Sequence, residues 1–468
     1  MDVDFIRWCS PQAWFDAKDA WNAIGGAAAD RSGEINDDVL LPLARQWNSS
    51  GAIAAAREIG RLKESLWIAS IGCSCAAMVA QGLGHVLSIA KNQVAYIDQR
   101  ASGIGMQLDG AGTLRQVPGF SMDDYDADEY NNELRVLGYL ARHALSIASG
   151  ADSEANSKFA EVASMSTETD LQAMADFLKD NVSPWQVGLF QSTVPAGADD
   201  ENRAWWRALS SDDRQFLLGA AATALADVNG LPRWVYDDLH GEGYDHTATA
   251  AWAEKNWDNL SVEPNNAAGD PPDCTNFASQ ALAAGGLQES DRWWATDPTN
   301  RIDKYWHIFG HGIGPTVSSH SWSVADDFFG TMKDAGATEV DAKDAKPGDV
   351  VVWVRSGEAF HVAVVTSVVD GDVRYSQYSP MLNAPLGERE PYLEVWDDYS
   401  DVTPHILRID EAPAGDPLPA PSPQPGPPPP SHDPPPVPSP QPSPSAPSHD
   451  PLPVPSPQPG PPPPSHEP

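Results

Sequence analysis

Of the four cysteines in the chain, Cys9, Cys73, Cys75 and Cys274, the last sits where a thiol could do chemistry. It follows Asp273 and opens Cys274-Thr275-Asn276-Phe277-Ala278-Ser279-Gln280-Ala281-Leu282-Ala283-Ala284. Phe277, Ala281 and Leu282 or Ala284 share one helical face there, and Gly285-Gly286 ends the run. Asp273 is the predicted N-cap and Cys274 the first helical residue. At that position the unpaired N–H groups and the dipole of the first turn stabilise a thiolate, and the same groups can receive an oxyanion forming beside the sulfur. A thiolate held in this way is a nucleophile that needs a base.

The base is sought downstream. Lys346-Pro347-Gly348-Asp349 reads as a turn into a strand, Val350 to Val354, and the loop RSGEAF leads into a second strand, His361 to Val369. Asp370-Gly371-Asp372 turns the chain into a third strand, Val373 to Tyr378, which completes an antiparallel meander. His361 is predicted to open the second strand, at the edge of the sheet and not in its apolar middle, where an imidazole can exchange a proton with a thiol. Gln377, sixteen residues further on, is the candidate to orient that imidazole through its other nitrogen. Asp273 and Asn276 are read as capping and shaping the loop.

The other reactive residue types lead elsewhere. Cys73 and Cys75, two apart in an apolar stretch, face different sides of a helix and are read as small core residues. His307 and His311 stand at i and i+4, but Gly310, Gly312 and Gly314 break a helix there, so loop histidines are expected and no metal or cofactor. Trp293, Trp294, Trp306, Trp322 and Trp353 are expected as core or groove walls.

The elements that must position these groups belong to a multidomain chain of 468 residues. With 29 Lys+Arg against 66 Asp+Glu the formal charge is −37, which repels a phosphate backbone and excludes nucleic acid as the natural partner. The first 230 residues read as helix almost throughout. Trp14, Ala17, Trp21 and Ile24 form one stripe, a break is expected at Asp30-Arg31-Ser32-Gly33, and a second helix is expected from Asp37 through Leu66 with Pro42 near its start. Ser65 to Ala90 carries no Asp, Glu, Lys or Arg and is long enough to cross a bilayer. Gln81, His85 and several Ser and Gly dilute it, so a helix central to a bundle is expected instead of a span. Ser210 or Ser211 is the predicted N-cap of DDRQFLLGAAATALAD, and Gly230 and Pro232 close that part of the chain. A helix is expected over His246 to Trp257. From Ala412 to Pro468, 28 of 57 residues are Pro, with PSPQP recurring at Pro421, Pro438 and Pro455, a 17-residue period. Such a segment cannot bury a core and is expected to be disordered, extended polyproline II.

Two resemblances rest on these residues. The order YDHTATAAWAEKNW, DCTNFASQALAAGG, HSWSVADDF, KPGDVVVW, HVAVVTSV and RYSQYSP, from Tyr244 to Tyr378, resembles the putative amidase domain family, relatives of papain-like NlpC-type peptidoglycan peptidases. The family's thiol motif Asp-Cys-Thr-Asn-Phe-x-Ser-Gln stands in full from Asp273 to Gln280. The resemblance implies Cys274 as nucleophile, His361 as general base and peptidoglycan stem peptides as substrate. Where such relatives often carry Gln-His, this chain has Gln377-Tyr378. At the other end, the helices around Trp47-Asn48-Ser49-Ser50-Gly51 resemble WXG-type domains of bacterial type VII secretion substrates, with Trp and Gly separated by three residues instead of one. Trp205 to Ser210 with Asn229 to Pro232 is similar to a segment recurring in proteins that carry such modules.

The expected organisation is an α-helical WXG-like secretion and partner module over 1–105, a second helical region over 106–235, an α+β papain-like amidase domain over 236–411 and the proline-rich tail over 412–468. The expected function is a secreted cysteine hydrolase that cleaves an amide in peptidoglycan. The alternatives are a toxin that cleaves or deamidates a protein, and a non-catalytic secreted adaptor. A helical secretion partner, and an adaptor for the tail, are the partners this implies. MDVDFIRWCSPQAW has no apolar signal region, which fits type VII-like export and equally a cytoplasmic protein.

Overall fold

The computed structural model describes residues 1–46, 49–120, 126–168, 170–241, 243–257, 274–288, 324–377 and 402–409. Trp47, Asp273, His307, His311, Trp293, Trp294, Trp306, Trp322 and the proline-rich tail lie outside the described residues.

The first half of the chain is a helical bundle. Helix α1 (Val3–Trp8) leads into α2 (Pro11–Glu34), a π-helical stretch (Ile35–Leu40), α3 (Leu41–Gln46) and the long α4 (Ser50–Gly103). The break expected at 30–33 is absent, because helix continues through Gly33 and the Ser32 hydroxyl donates to the Lys63 carbonyl at 3.1 Å. The wide π turn falls just before Pro42, which has no N–H to donate and whose ring would crowd the carbonyl four residues back. The new helix starts at Ser50, capped by the Ser49 hydroxyl, which accepts from Ala52 N at 3.2 Å.

Helix α4 is the axis of the bundle. By length and composition it could cross a membrane, yet 67% of its most apolar window is buried inside the fold. Cys73 and Cys75 are both buried there. Small residues let its neighbours approach: a Cβ on Gly84 would meet the Phe15 ring at 3.0 Å. Around α4 pack α5 (Ala127–Glu168), α6 (Leu171–Phe177), α7 (Ser183–Gln191), α8 (Asp199–Ala208), α9 (Ser211–Ala220), α10 (Ala222–Ala226) and α11 (Arg233–His240). Leu83, Leu87, Ile89, Leu137, Trp205 and Leu217 belong to one continuous apolar core that runs from α1 to α11. A short hairpin of β1 (Met106–Leu108) and β2 (Leu114–Gln116), which the sequence did not signal, joins α4 to α5. Ser210 caps α9, with its hydroxyl accepting from Asp213 N at 3.0 Å. The helix predicted to run on through Ala226 breaks at Ala221, which leaves helical geometry.

The second half is built on an antiparallel sheet. Its strands are β3 (Thr338–Val340), β4 (Val350–Arg355), β5 (Glu358–Val369), β6 (Asp372–Ser376) and β7 (Val402–Arg408), in the order β3-β7-β4-β5-β6. The predicted meander β4-β5-β6 is present, but β5 begins at Glu358 and lies inside the sheet. His361 is therefore its fourth residue, not its first, and sits on an interior strand. Strands β4 and β5 are buried on both faces, hence their near-continuous valines. Val350, Val352, Val362, Val364 and Leu407 face the helices α12 (His246–Asn256), α13 (Cys274–Ala284) and α14 (Ala325–Asp334). Val351, Ala363, Val365, Val373, Tyr375 and Ile406 form the other face. Each fully buried valine contributes roughly 1.5–3 kcal/mol relative to leaving it in water. The turn before β4 is tied down by Asp349, which is fully buried. Its carboxylate accepts a fork from Arg408 at 3.0 and 2.8 Å and the Lys346 N–H at 2.7 Å. Burial pushes that carboxyl up, and Arg408 opposes the shift.

Candidate active site

Cys274 is the first residue of α13 and half-buried. Its Sγ lies 3.9 Å from the Thr275 hydroxyl. Asn276 is buried, and its Oδ1 accepts from Gln280 Nε2 at 2.9 Å, so this side chain braces the helix one turn on. Phe277, Ala278, Ala281 and Leu282 seat the helix on the sheet, and Trp252 of α12 lies against Phe277 with ring centroids 5.4 Å apart. The helix stops as its sequence indicates: Gly286 takes φ +90°, and Leu287 N donates to the Leu282 carbonyl at 3.1 Å.

A chain of contacts links the C-terminal end of α13 to the sheet. After its last turn the Gly285 carbonyl accepts from Asp245 N at 2.8 Å, and the neighbouring Tyr244 hydroxyl donates to the Gly348 carbonyl at 3.1 Å. Gly348 N in turn donates to the Val365 carbonyl of β5 at 2.8 Å.

His361 and Gln377 are brought together. The imidazole Nε2 is hydrogen-bonded to Gln377 Oε1, and Gln377 is buried at the end of β6. With an oxygen facing it, Nε2 is the donor and carries the proton, so the neutral ring keeps Nδ1 as its basic nitrogen. Along β5, Val362 and Val364 face α13, while His361 shares the opposite set of positions with Ala363 and Val365. The ladder slips by one residue at this point: Trp353 pairs with His361 and Val354 with Ala359, which leaves Phe360 as the bulged residue beside the imidazole.

One aromatic side chain lies against the imidazole, and a second packs behind it. Trp353 lies 5.1 Å from the His361 ring and 5.1 Å from Tyr375. The wall formed by Trp353 matches the expectation for that residue, whereas Tyr375 was not singled out. Alternation along β6, which puts Tyr375 and Gln377 on one face, was the available signal. Asp326 of α14 accepts from Ala359 N at 2.9 Å and steadies the start of β5. Among the described residues, no three His, Cys, Asp or Glu side chains cluster as a metal site requires.

No curated protein and no solved structure matches the chain. Residues 243–388, which hold Cys274, His361 and Gln377, match the model of a family described as "Putative amidase domain", a description that points to amide-bond hydrolysis.

Proposed function

We propose that this region is a cysteine amidohydrolase in which Cys274 is the nucleophile, His361 the general base and acid, and Gln377 the group that orients the imidazole. One observation carries the reading: within a stretch that matches an amidase family, a histidine is held through Nε2 by a neutral amide oxygen. That tautomer leaves Nδ1 to take the thiol proton. Support also comes from Cys274 opening α13, where the N–H groups of a first turn stabilise a thiolate.

In the proposed reaction the Cys274 thiolate attacks the amide carbonyl, and the oxyanion is received by N–H groups of the first turn of α13. His361 protonates the departing amine, which leaves as the C–N bond breaks, and the acyl group remains on Cys274 as a thioester. His361 then takes a proton from water, whose oxygen attacks the thioester and returns the thiolate. Stem peptides of peptidoglycan are the favoured substrate, on the resemblance of the motifs to NlpC-type peptidases. The helical region is proposed to serve export and partner binding.

The test is incubation of purified muropeptides, and separately of a cell protein extract, with the full chain and with Cys274→Ser. Peptides or amines released from muropeptides by the unsubstituted chain alone are the expected result. Release from proteins but not from muropeptides would move the substrate to a protein. Equal release by both chains would remove Cys274 from the reaction.

A further inference from the structure

A polar network that the proposed chemistry does not use lies between the helices and the sheet. At the turn from β5 to β6, Asp370 Oδ2 accepts from Gln81 Nε2 at 2.8 Å and from His85 Nε2 at 2.9 Å, both on α4. Gln81 Oε1 accepts from Gln186 Nε2 of α7 at 3.0 Å, and the same amide nitrogen donates to the Met78 carbonyl at 2.7 Å. Gln186 Oε1 accepts from Arg374 Nη2 on β6, whose Nη1 reaches the Ser183 carbonyl at 3.4 Å. The donors run in one sense, Arg374 to Gln186 to Gln81 to Asp370, and the run begins and ends on the same hairpin. Each glutamine uses both ends of its amide, so neither can flip without leaving two groups unpaired.

The surroundings make the network stiff. Gln186, Gln81 and Arg374 are 0%, 3% and 5% exposed, and away from water hydrogen bonds between such groups are strong and costly to break. His85 cannot swing away: it is stacked on Phe216 with centroids 3.7 Å apart and touched edge-on by Phe15 and Phe190. Burial raises the Asp370 carboxyl, but the hydrogen bonds and charge of His85 and the bond from Gln81 outweigh it and keep the group ionised to lower pH. Val369 belongs to the helical core, and a Cβ on Gly219 of α9 would meet the Val368 carbonyl at 2.6 Å.

This grip falls on the strand that Gln377 directly follows. Strand β6 is at the edge of the sheet and, among the described residues, pairs with β5 alone. Arg374 precedes Gln377 by three residues, about 10 Å along a strand. We propose that the helical region is a positioning element of the active site, in which α4 and α7 hold the β5–β6 hairpin through Asp370 and Arg374 and so keep Gln377 on His361. This rests on the reading of His361 and Gln377 given above, and it makes Gln81, Gln186, Asp370 and Arg374 positioning residues that touch no substrate.

The experiment follows the alkylation rate of Cys274 by iodoacetamide from pH 5 to 9, by peptide mass spectrometry on the full chain. It compares the unsubstituted chain with His361→Ala, Gln377→Ala, Gln186→Leu, Asp370→Ala and Gln186→Glu. At pH 6 the rate is expected to fall about tenfold in Gln377→Ala and several-fold in the same direction in Gln186→Leu and Asp370→Ala. At pH 9, where the thiol is ionised in every variant, the rates converge. Gln186→Glu keeps an acceptor for Arg374 but loses the donor to Gln81 and the Met78 carbonyl, and its rate is expected to lie between those of Gln186→Leu and the unsubstituted chain. Should Gln186→Leu fail to fold, Asp370→Ala, at a partly exposed turn, decides. A shifted profile in Gln377→Ala beside unchanged profiles in the folded network variants overturns the positioning role and leaves the imidazole reading intact. A profile insensitive to His361→Ala removes that reading, and the positioning role with it.

Discussion

The two halves of this molecule bury polar side chains for different ends. In the helical bundle they are structural: His143 Nδ1 is bonded to Gln93 Oε1 at 3.0 Å, and burial presses its pKa down to about 4, which keeps the ring neutral. In the sheet, His361 stands beside a bulge, half-buried, with one nitrogen bonded to Gln377 and the Trp353 ring against it. Both histidines are bonded to a glutamine oxygen. The surroundings, and not the residue pair, separate a packed histidine from the proposed base. The contrast is sharpest at the seam, where His85, Gln81 and Gln186 of the bundle are structural in themselves yet end on the hairpin that carries Gln377.

Substitutions that break the contrast should separate chemistry from stability. Cys274→Ser should lower amide hydrolysis by at least about 10³-fold, roughly 4 kcal/mol of transition-state stabilisation, with thermal unfolding unchanged. Leu87→Ala, at a site 1% exposed in the bundle core, should lower stability by about 2–5 kcal/mol in urea titration. Below its unfolding midpoint this variant should retain the thiol reactivity of the unsubstituted chain.

The seam gives subtler effects. Glu254 of α12 is bonded by Gln191 and Thr223 of the bundle, and burial raises its pKa to about 7. The folded state thus keeps a proton that the unfolded chain loses near pH 4.5, so this stabilisation is full below about pH 4.5 and is lost as pH rises through about 7. Glu254→Gln should flatten that dependence by up to about 3 kcal/mol, read as the difference in melting temperature between pH 4.5 and 8. Gly219→Ala places a methyl against the Val368 carbonyl and should cost about 1–3 kcal/mol, measured by urea unfolding. The exchange of β6 amides should rise more than that of α4 amides.

What the sequence made legible was local. Cys274 at a helix start, the Gly285-Gly286 stop, the β4-β5-β6 meander and the proximity of Gln377 to His361 all follow from patterns within some twenty residues. What it hid depends on distant partners. Strand β7 enters between β3 and β4 by pairing Leu407 with Val350, and no local pattern announces that neighbour. The expected break at Asp30 to Gly33 was weighed on polar residues that a two-helix contact absorbs, since Ser32 reaches Lys63 on α4. The Arg374–Gln186 contact joins residues 188 apart, and nothing in either segment points to the other. An exposed strand end or turn would have accommodated Asp370 and Arg374 equally well on composition alone.

The central claim is that Cys274 and His361 act as a couple, and its most direct measurement is the pH dependence of Cys274 alkylation with and without the imidazole. In the unsubstituted chain a reactive thiolate should persist below about pH 7, whereas a cysteine in isolation titrates near pH 8.5. His361→Ala should return the profile to that ordinary range. Identical profiles in the two chains, both midway near 8.5, would contradict the account.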